Sequence, residues 1–171
     1  MKLEDLEKVY AKLPQVAALA NEIGNTATRR IFLEGLLASS APMLFGSLAA
    51  KCKAPILFVL QDAEDAGYFY HDLTQLLGTR QVLFFPSSYR RAIKYGQLDS
   101  ASQILRTEVL TQITTTQHPS PTTLYIVTYP EALAEMVVPK QTLNARTLVI
   151  EKGQVIPVGD ITKQLREFGF N

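Results

Sequence analysis

The chain has 171 residues, which is enough for one domain, or for one domain and part of another. Its hydrophobic fraction of 47% and its charged fraction of 19% exclude an intrinsically disordered protein. The 17 basic and 16 acidic side chains give a net charge of +1, which excludes the broad basic surface of a strong nucleic-acid binder.

Cysteine usage and hydropathy indicate an intracellular protein. Cys52 is the single cysteine, so the sequence predicts neither a disulfide framework nor a thiolate metal cluster. The N-terminal stretch MKLEDLEKVYAKL lacks the apolar core of a signal peptide, and no window approaches about 18 uninterrupted apolar residues. We therefore expect a soluble, cytoplasmic protein with no membrane contact.

The first part of the chain is predicted to form two helices, a strand and a third helix. Residues 3–12 and 14–23 are predicted as helices, because Pro14 suits a first helical turn and Gly24 suits a C-terminal stop. The apolar run RRIFLEG (29–35) is predicted as a strand. Residues 42–51 follow as a helix, with apolar side chains at helical spacing.

Apolar runs and helical patterns alternate along the next part of the chain. Residues 54–61, 81–86 and 123–130 are predicted as strands, of which the first and the last are expected to be covered on both faces. Helices are predicted after Asp62, over 101–113 and over EALAEMV, with a loop at 87–99. The helix after Asp62 is expected to end at Gly78 and to carry a core-facing stripe of Ala66, Phe69, Tyr70, Leu73 and Leu77. This alternation predicts a parallel, doubly wound α/β sheet of the P-loop helicase type, flanked by helices.

The C-terminal part has a different pattern. Two short runs within 146–156 are separated by Lys152-Gly153, which indicates a hairpin or a strand-to-loop turn. A helix is predicted to start at Gly159 or Asp160 and to end near Gly169. We therefore expect N-terminal helices over 1–28, an α/β domain over 29–145, and the truncated beginning of a second module over 146–171.

The stretch GLLASSAPMLFGSLAAK (35–51) resembles a phosphate-binding loop in outline only. In the pattern G-x-x-x-x-G-K-[ST], Gly35 fills the first position, but Ser40, Ala41 and Pro42 replace the second glycine, the lysine and the hydroxyl residue. Ala41 removes the ammonium group, and Pro42 removes the magnesium-binding hydroxyl and one backbone N–H. Ser39, Ser40 and the helix N-terminus still offer donors to an anion, without ATP hydrolysis. A connection without any ligand is the favoured alternative.

Other polar residues give weaker signals. Asp62 follows an apolar strand, as a magnesium ligand does, but capping of the next helix is the favoured role. His71 and His118 have no second ligand at metal spacing and are expected at the surface. No serine, histidine and acid fall in a nucleophile motif. We therefore expect no catalytic residue and no metal site.

The predicted loop at 87–99 mixes aromatic and cationic side chains. Such residues contact phosphates, bases or a protein partner, although a solvated loop has the same composition. The candidate contact residues are Tyr89, Arg90, Arg91 and Lys94.

Several of these segments, in this order, resemble the N-terminal region of the bacterial transcription-repair coupling factors. The segments are the degenerate loop, PILFVLQDAEDAGYFYHDL, FFP, the helix with Arg106, IVTYPEAL, VVP and the run from LVIEKGQVI to LREFGF. The resemblance covers residues from about 30 to 171. That region is similar to the first domains of the excision-repair protein UvrB, and it has lost the functional P-loop.

The resemblance implies that this chain is part of a longer protein whose domains have different roles. The part to about residue 145 would be a helicase-type fold without ATPase activity, and the part from about Thr147 would begin the inserted domain that binds UvrA. Most UvrA-contacting residues, the ATP- and Mg-dependent motor and the RNA polymerase contact would lie further along. UvrB clamps damaged DNA with a tyrosine-rich hairpin, but residues 87–99 are short and lack that tyrosine cluster.

Three functions follow as hypotheses. The leading one is a non-catalytic interaction module of an ATP-dependent DNA translocase, which recruits UvrA and contacts the motor domains of the same protein. The alternative is an independent nucleotide-binding or ATPase domain, against which Ala41 and Pro42 count. The third is a DNA-binding α/β domain, which the nearly neutral charge disfavours.

Overall fold

A computed structural model of the chain describes residues 3–49, 51–52, 54–89, 99–114 and 124–168. These residues fall into two compact units, one up to Glu135 and one from Met136 onward. The predicted division at 28/29 and 145/146 stays a prediction. The elements of the first unit are α1 (Leu3–Ala11), α2 (Pro14–Gly24), α3 (Ser40–Leu48), β1 (Ile56–Val59), α4 (Ala63–Leu77), β2 (Val82–Phe84), α5 (Ser100–Thr114), β3 (Tyr125–Thr128) and α6 (Pro130–Ala134); those of the second are α7 (Lys140–Ala145) and α8 (Val158–Glu167).

Helices α2 and α3 share a small core of their own, beside which α1 packs on α3. Pro14 opens α2, where its missing N–H is not needed, and α3 packs against both α1 and α2. The two predicted N-terminal helices are therefore confirmed, and the third lies two to three residues earlier than predicted. The buried residues of this core are Val16, Leu19, Leu44 and Leu48.

The predicted strand at 29–35 is wrong. Residues 28–37 have irregular backbone and belong to no strand of the described sheet. Phe32 is 87% exposed, so the apolar side chains of this run are not covered as those of a strand would be. Strand propensity mostly reflects packing against cross-strand neighbours, and an apolar run without such neighbours does not adopt the strand.

Among the described residues, three parallel strands form a small open sheet in the order β1-β3-β2. Tyr125 of β3 lies between Ile56 of β1 and Val82 of β2, which fixes the register of all three strands. The central strand β3 is buried along its whole length, as predicted for residues 123–130. Helices flank this sheet, so the prediction of an α/β fold is confirmed at that level.

Two helices contact the sheet through aromatic side chains. On α4, Phe69 lies 4.9 Å from Phe58 of β1, and Tyr70 lies 5.1 Å from Phe84 of β2, between ring centroids. On α5, the guanidinium of Arg106 lies 4.1 Å from the ring centroid of Phe85, just after β2. The predicted core-facing stripe of α4 is confirmed; its members are the buried Ala66, Phe69 and Leu73 and the partly buried Tyr70 and Leu77.

One face of β1 is open, contrary to the prediction that both its faces are covered. Leu57 is 53% exposed and Val59 is 49% exposed, whereas Phe58 between them is buried. The reason is that β1 is an outer strand of the sheet, while α5 packs against the opposite outer strand β2. A continuous apolar run does not distinguish a strand covered on both faces from one covered on a single face.

The second unit contains two helices and an irregular segment. Residues 147–156 form no strand, so the predicted short runs do not pair with each other. The turn at Lys152-Gly153 is present, and Gly153 has a φ of +94°, which favours glycine. The predicted C-terminal helix is confirmed as α8, and α7 is a further helix that the sequence pattern did not indicate.

Candidate functional site

The candidate phosphate loop lies between irregular backbone and α3. Gly35 has a φ of +80° and Ala38 a φ of +47°, so the chain twice enters the left-handed region before the helix begins. Ser39 occupies the N-cap position of α3 without a side-chain capping bond. The predicted loop-to-helix transition is present, but the strand that precedes a phosphate loop is not found among the described residues.

The signature positions of this loop pack against the protein. Pro42 is buried, and Ala41 packs against the core around the sheet. The Ser40 hydroxyl is buried and has no hydrogen-bond partner among the described residues. The Ser40 N–H donates to the carbonyl of Leu37 at 3.0 Å, and Pro42 has no N–H. The start of α3 therefore has fewer free backbone donors than a phosphate-binding helix N-terminus.

Contacts outside the loop anchor α3 to the sheet. The ring of Phe45 lies 4.8 Å from that of Phe58, edge to face. The Tyr125 hydroxyl donates to the carbonyl oxygen of Phe45 at 3.3 Å. Burial, with a further contribution from Cys52, raises the pKa of Tyr125 to about 12, so the hydroxyl remains a donor at neutral pH. Aromatic packing and one hydrogen bond therefore hold α3 against the sheet.

The predicted contact segment starts shortly after β2. Tyr89 is 50% exposed, and its backbone N–H donates to the Ser87 hydroxyl oxygen at 3.3 Å. Arg90, Arg91 and Lys94 lie outside the described residues. The structure therefore places only the first of the candidate contact residues, and it places that residue at the surface.

The two serines before Tyr89 are bound by the Glu135 carboxylate. The Ser87 hydroxyl donates to Oε1 of Glu135. The Ser88 N–H donates to both carboxylate oxygens, at 3.1 Å to Oε1 and 2.9 Å to Oε2. The Ser87 N–H donates to the hydroxyl oxygen of the buried Tyr129 at 2.8 Å. The carboxylate therefore lies among converging N–H and O–H donors, as a bound anion does in a backbone nest.

The buried Arg106 lies behind this carboxylate and is only 5% exposed. Its Nη1 donates to the carbonyl oxygens of Pro86 at 2.8 Å and Ala132 at 3.0 Å, and lies 3.4 Å from Oε2 of Glu135. The guanidinium also stacks over Phe85, as described above. Its Nη2 is buried and has no hydrogen-bond partner among the described residues. We call Ser87, Ser88, Arg106 and Glu135 the Arg106–Glu135 cluster.

The charge state of this cluster follows from its contacts. Burial alone would raise the pKa of the Glu135 carboxyl, but hydrogen bonds from Ser87 and Ser88, together with the charge of Arg106, lower that pKa below its usual value. Glu135 is therefore ionised at neutral pH and forms a charge-assisted pair with Arg106.

Of these residues, only Arg106 carries a signal in the sequence. It lies three residues before the buried Val109 on the core-facing side of α5, where a charged side chain requires a partner. Glu135, the charged partner of Arg106, could not be predicted from the sequence. No local pattern joins it to Arg106, and it is separated by 47 positions from Ser88, another residue that it binds.

A groove of about 600 Å³ follows the outer edge of β2 and is also lined by α4 and α5. Burial and the negative charge of Glu108 raise the pKa of Tyr70, which lies in this groove. Its lining residues include Arg80 but no serine, cysteine or histidine. The groove thus offers polar and charged contacts, among them Tyr70, Arg80 and Glu108.

The remaining candidate residues have structural surroundings. Asp62 caps α4 as predicted, accepting from the N–H groups of Glu64 and Asp65 at 2.9 Å each. His71 is exposed, as predicted, and His118 lies outside the described residues. Within the described ranges, no group of three or more His, Cys, Asp or Glu side chains is placed to hold a metal ion. None of the described helices combines the length and the hydropathy that crossing a bilayer requires.

Comparison of the chain with protein-family models, with curated proteins and with solved structures found no match.

Proposed function

We propose that this chain is the N-terminal part of a bacterial transcription-repair coupling factor and serves as a non-catalytic interaction module. Its role would be to contact UvrA and the motor domains of the same protein. ATP, magnesium, DNA and RNA polymerase would bind to other domains. The whole protein would be a cytoplasmic, ATP-dependent DNA translocase that displaces stalled RNA polymerase and recruits UvrA for nucleotide excision repair.

The packing of Ala41 and Pro42 is the observation that carries this proposal. Both residues contribute to the protein interior at the positions where a working P-loop exposes its lysine and its magnesium-binding hydroxyl. The contacts of Phe45 and Tyr125 that anchor α3 to the sheet do not involve the signature positions of the loop. A loop of this kind is consistent with a fold that keeps its architecture after losing the nucleotide site.

We further propose that the sheet belongs to the doubly wound, P-loop helicase class. Phe84 and Phe85 are successive residues of an extended chain, so their side chains point to opposite faces of the sheet. Phe84 contacts Tyr70 of α4, whereas Phe85 contacts Arg106 of α5. Helices on both faces of a parallel sheet are what this class requires.

The second unit supports a contact role, because its apolar side chains are open to solvent. Val149 is 68% exposed, Val155 is 96% exposed and Val158 is 77% exposed. Apolar side chains with this much exposure are available for contact with another macromolecule. In this proposal, they form the beginning of the UvrA-binding surface.

Titration of the chain with purified UvrA tests the proposal. We expect weak, saturable binding that Val155→Asp reduces by roughly tenfold, since a buried valine contributes about 1.5 kcal/mol. Gln141→Asp adds the same charge to the exposed surface of α7 and serves as the matched control, with unchanged binding. Absence of saturable binding, or equal losses in the two variants, would contradict the assignment of this surface.

An independent nucleotide-binding domain is the second candidate function. The Ser40 hydroxyl at the start of α3 favours it, because that group has no hydrogen-bond partner within the described ranges and could donate to a phosphate oxygen. Saturable binding of Mg-ATP, lost in Ala41→Glu, would support this function in place of the interaction module.

A further inference from the structure

The Arg106–Glu135 cluster has the donor arrangement of an oxyanion site. The Ser87 hydroxyl, the Ser88 N–H and the Arg106 guanidinium all approach one carboxylate, and they contact both of its oxygens. Donors that converge in this way form a concave nest for anions such as phosphate and sulfate. The anion present here is supplied by the chain itself.

We propose that Ser87, Ser88 and Arg106 form an oxyanion-binding nest that the Glu135 carboxylate occupies from within the chain. Glu135 is thereby the residue that positions the segment Ser87–Tyr89 next to the end of β2. This inference concerns the first unit alone and does not depend on the proposed function.

Two parts of the nest are fixed by contacts that do not involve Glu135. Arg106 is fixed by the carbonyl oxygens of Pro86 and Ala132 and by the ring of Phe85, and its Nη1 lies nearer to both carbonyl oxygens than to Glu135. The Ser87 N–H is fixed separately, by the Tyr129 hydroxyl. Removing the carboxylate therefore leaves the Arg106 charge and the Ser87 backbone in place, and it frees the Ser87 hydroxyl and the Ser88 N–H for another anion.

The nest also has more donor capacity than a carboxylate uses. Nη2 of Arg106 is buried beside the cluster and has no hydrogen-bond partner among the described residues. A tetrahedral oxyanion has more acceptor oxygens than a carboxylate, so it can engage the serine donors and the guanidinium together. The ligand class that fits the emptied nest is thus inorganic phosphate or sulfate.

Chemical rescue of Glu135→Ala tests the nest. Thermal unfolding of the parent chain and of the variant is followed at pH 7 in sodium phosphate and in sodium chloride of matched ionic strength. We expect the variant to melt lower than the parent in chloride and to recover specifically in phosphate. By mass action, its folding constant should rise about tenfold when phosphate reaches ten times its Kd. The parent should show no phosphate-specific shift, because Glu135 already fills the nest.

Two further variants separate anion binding from general stabilisation by salt. Ser87→Ala combined with Glu135→Ala removes a nest donor and should lose most of the rescue. Glu135→Gln keeps an acceptor of the same shape, so it should remain folded and show little rescue. If Glu135→Ala is unfolded in chloride, its refolding in phosphate is the predicted result.

The Ser88 amide resonance reports the position of the segment directly. In ¹H–¹⁵N spectra we expect this resonance to move in Glu135→Ala and to return towards its parent position as phosphate is added. Equal recovery in chloride and phosphate, rescue that survives the loss of the Ser87 hydroxyl, or a variant that stays unfolded in both salts would overturn the inference.

Discussion

Replacing Arg106 by methionine should destabilise the first unit by about 3 kcal/mol. Methionine fills much of the same volume but has neither the charge nor the donors of arginine. The change leaves the carbonyl oxygens of Pro86 and Ala132 without their side-chain donor, and it removes the cation that faces Glu135.

The magnitude follows from these contacts. Each buried carbonyl left without a donor costs about 1 kcal/mol, and the stacking of the guanidinium over Phe85 contributes about 1 kcal/mol more. Glu135 keeps its hydrogen bonds from Ser87 and Ser88, so the loss should lie at the lower end of the range of about 3–5 kcal/mol for a broken buried pair. A loss of about 3 kcal/mol lowers the folding constant by roughly two orders of magnitude.

Urea unfolding followed by circular dichroism measures this loss. Arg80→Met removes an exposed arginine and is the matched control, with a change within about 0.5 kcal/mol. Combining Arg106→Met with Glu135→Gln should cost at least about 1 kcal/mol less than the sum of the single losses, since both charges leave the interior together. A loss below about 1 kcal/mol for Arg106→Met, relative to the control, would refute the structural role assigned to this arginine.

Three further predictions concern helices α3 and α4 and the pH dependence of stability. Gly46→Ala should lower the free energy of unfolding by about 1 kcal/mol, because its Cβ would lie 2.9 Å from Cδ1 of Leu76. Gly67→Ala, with open space around its Cβ, should raise that free energy by about 0.5–1 kcal/mol, and urea unfolding compares the two variants. Asp62→Ala should cost about 1 kcal/mol through loss of the α4 cap, and Asp62→Asn should retain most of that stability in the same assay. The pKa of Glu135 is lower in the folded chain than in the unfolded chain, so its contribution to stability is present above the unfolded pKa and is lost as the pH falls through the folded pKa. Urea midpoints between pH 7 and pH 3 should therefore fall more steeply in the parent than in Glu135→Gln. Parallel profiles of the two proteins would contradict this prediction.

Helix α4 shows which features the sequence determines locally. Its apolar stripe, its N-cap Asp62 and its stop at Gly78 all lie within the helix or next to it. Gly78 has a φ of +80°, which the absence of a Cβ permits. Because each of these signals acts over a few residues, both ends of the helix could be predicted from the sequence.

Whether a run forms a strand, and which of its faces are covered, depends on neighbouring elements that the sequence does not identify. The run at 29–35 has the composition of a strand but no neighbour in the described sheet, whereas β1 has a neighbour on one side only. The exposure of Leu57 and Val59 follows from the position of β1 at the sheet edge, which is a property of the strand order. Strand order is set by contacts far apart in sequence, so it could not be read from composition.

The candidate site likewise has one part that the sequence predicts and one part that it does not. The degenerate loop could be recognised from a local pattern, because Ala41 and Pro42 stand at its lysine and hydroxyl positions. The Arg106–Glu135 cluster joins the end of β2, the middle of α5 and the end of α6, and its donors include backbone groups of Ser88 that no sequence pattern marks. Arg106, a charged residue at a core-facing position, is the member of the cluster whose sequence context could have signalled a buried partner.

Calorimetric titration of the chain with Mg-ATP tests most directly whether it acts by contact rather than by nucleotide chemistry. We expect no saturable heat from the parent chain, because Ala41 and Pro42 are packed inwards and the Ser40 N–H is already engaged. Saturable heat that Ala41→Glu abolishes would contradict the proposal, since the loop would then hold phosphate through its remaining donors and a nucleotide-dependent role would replace the scaffold.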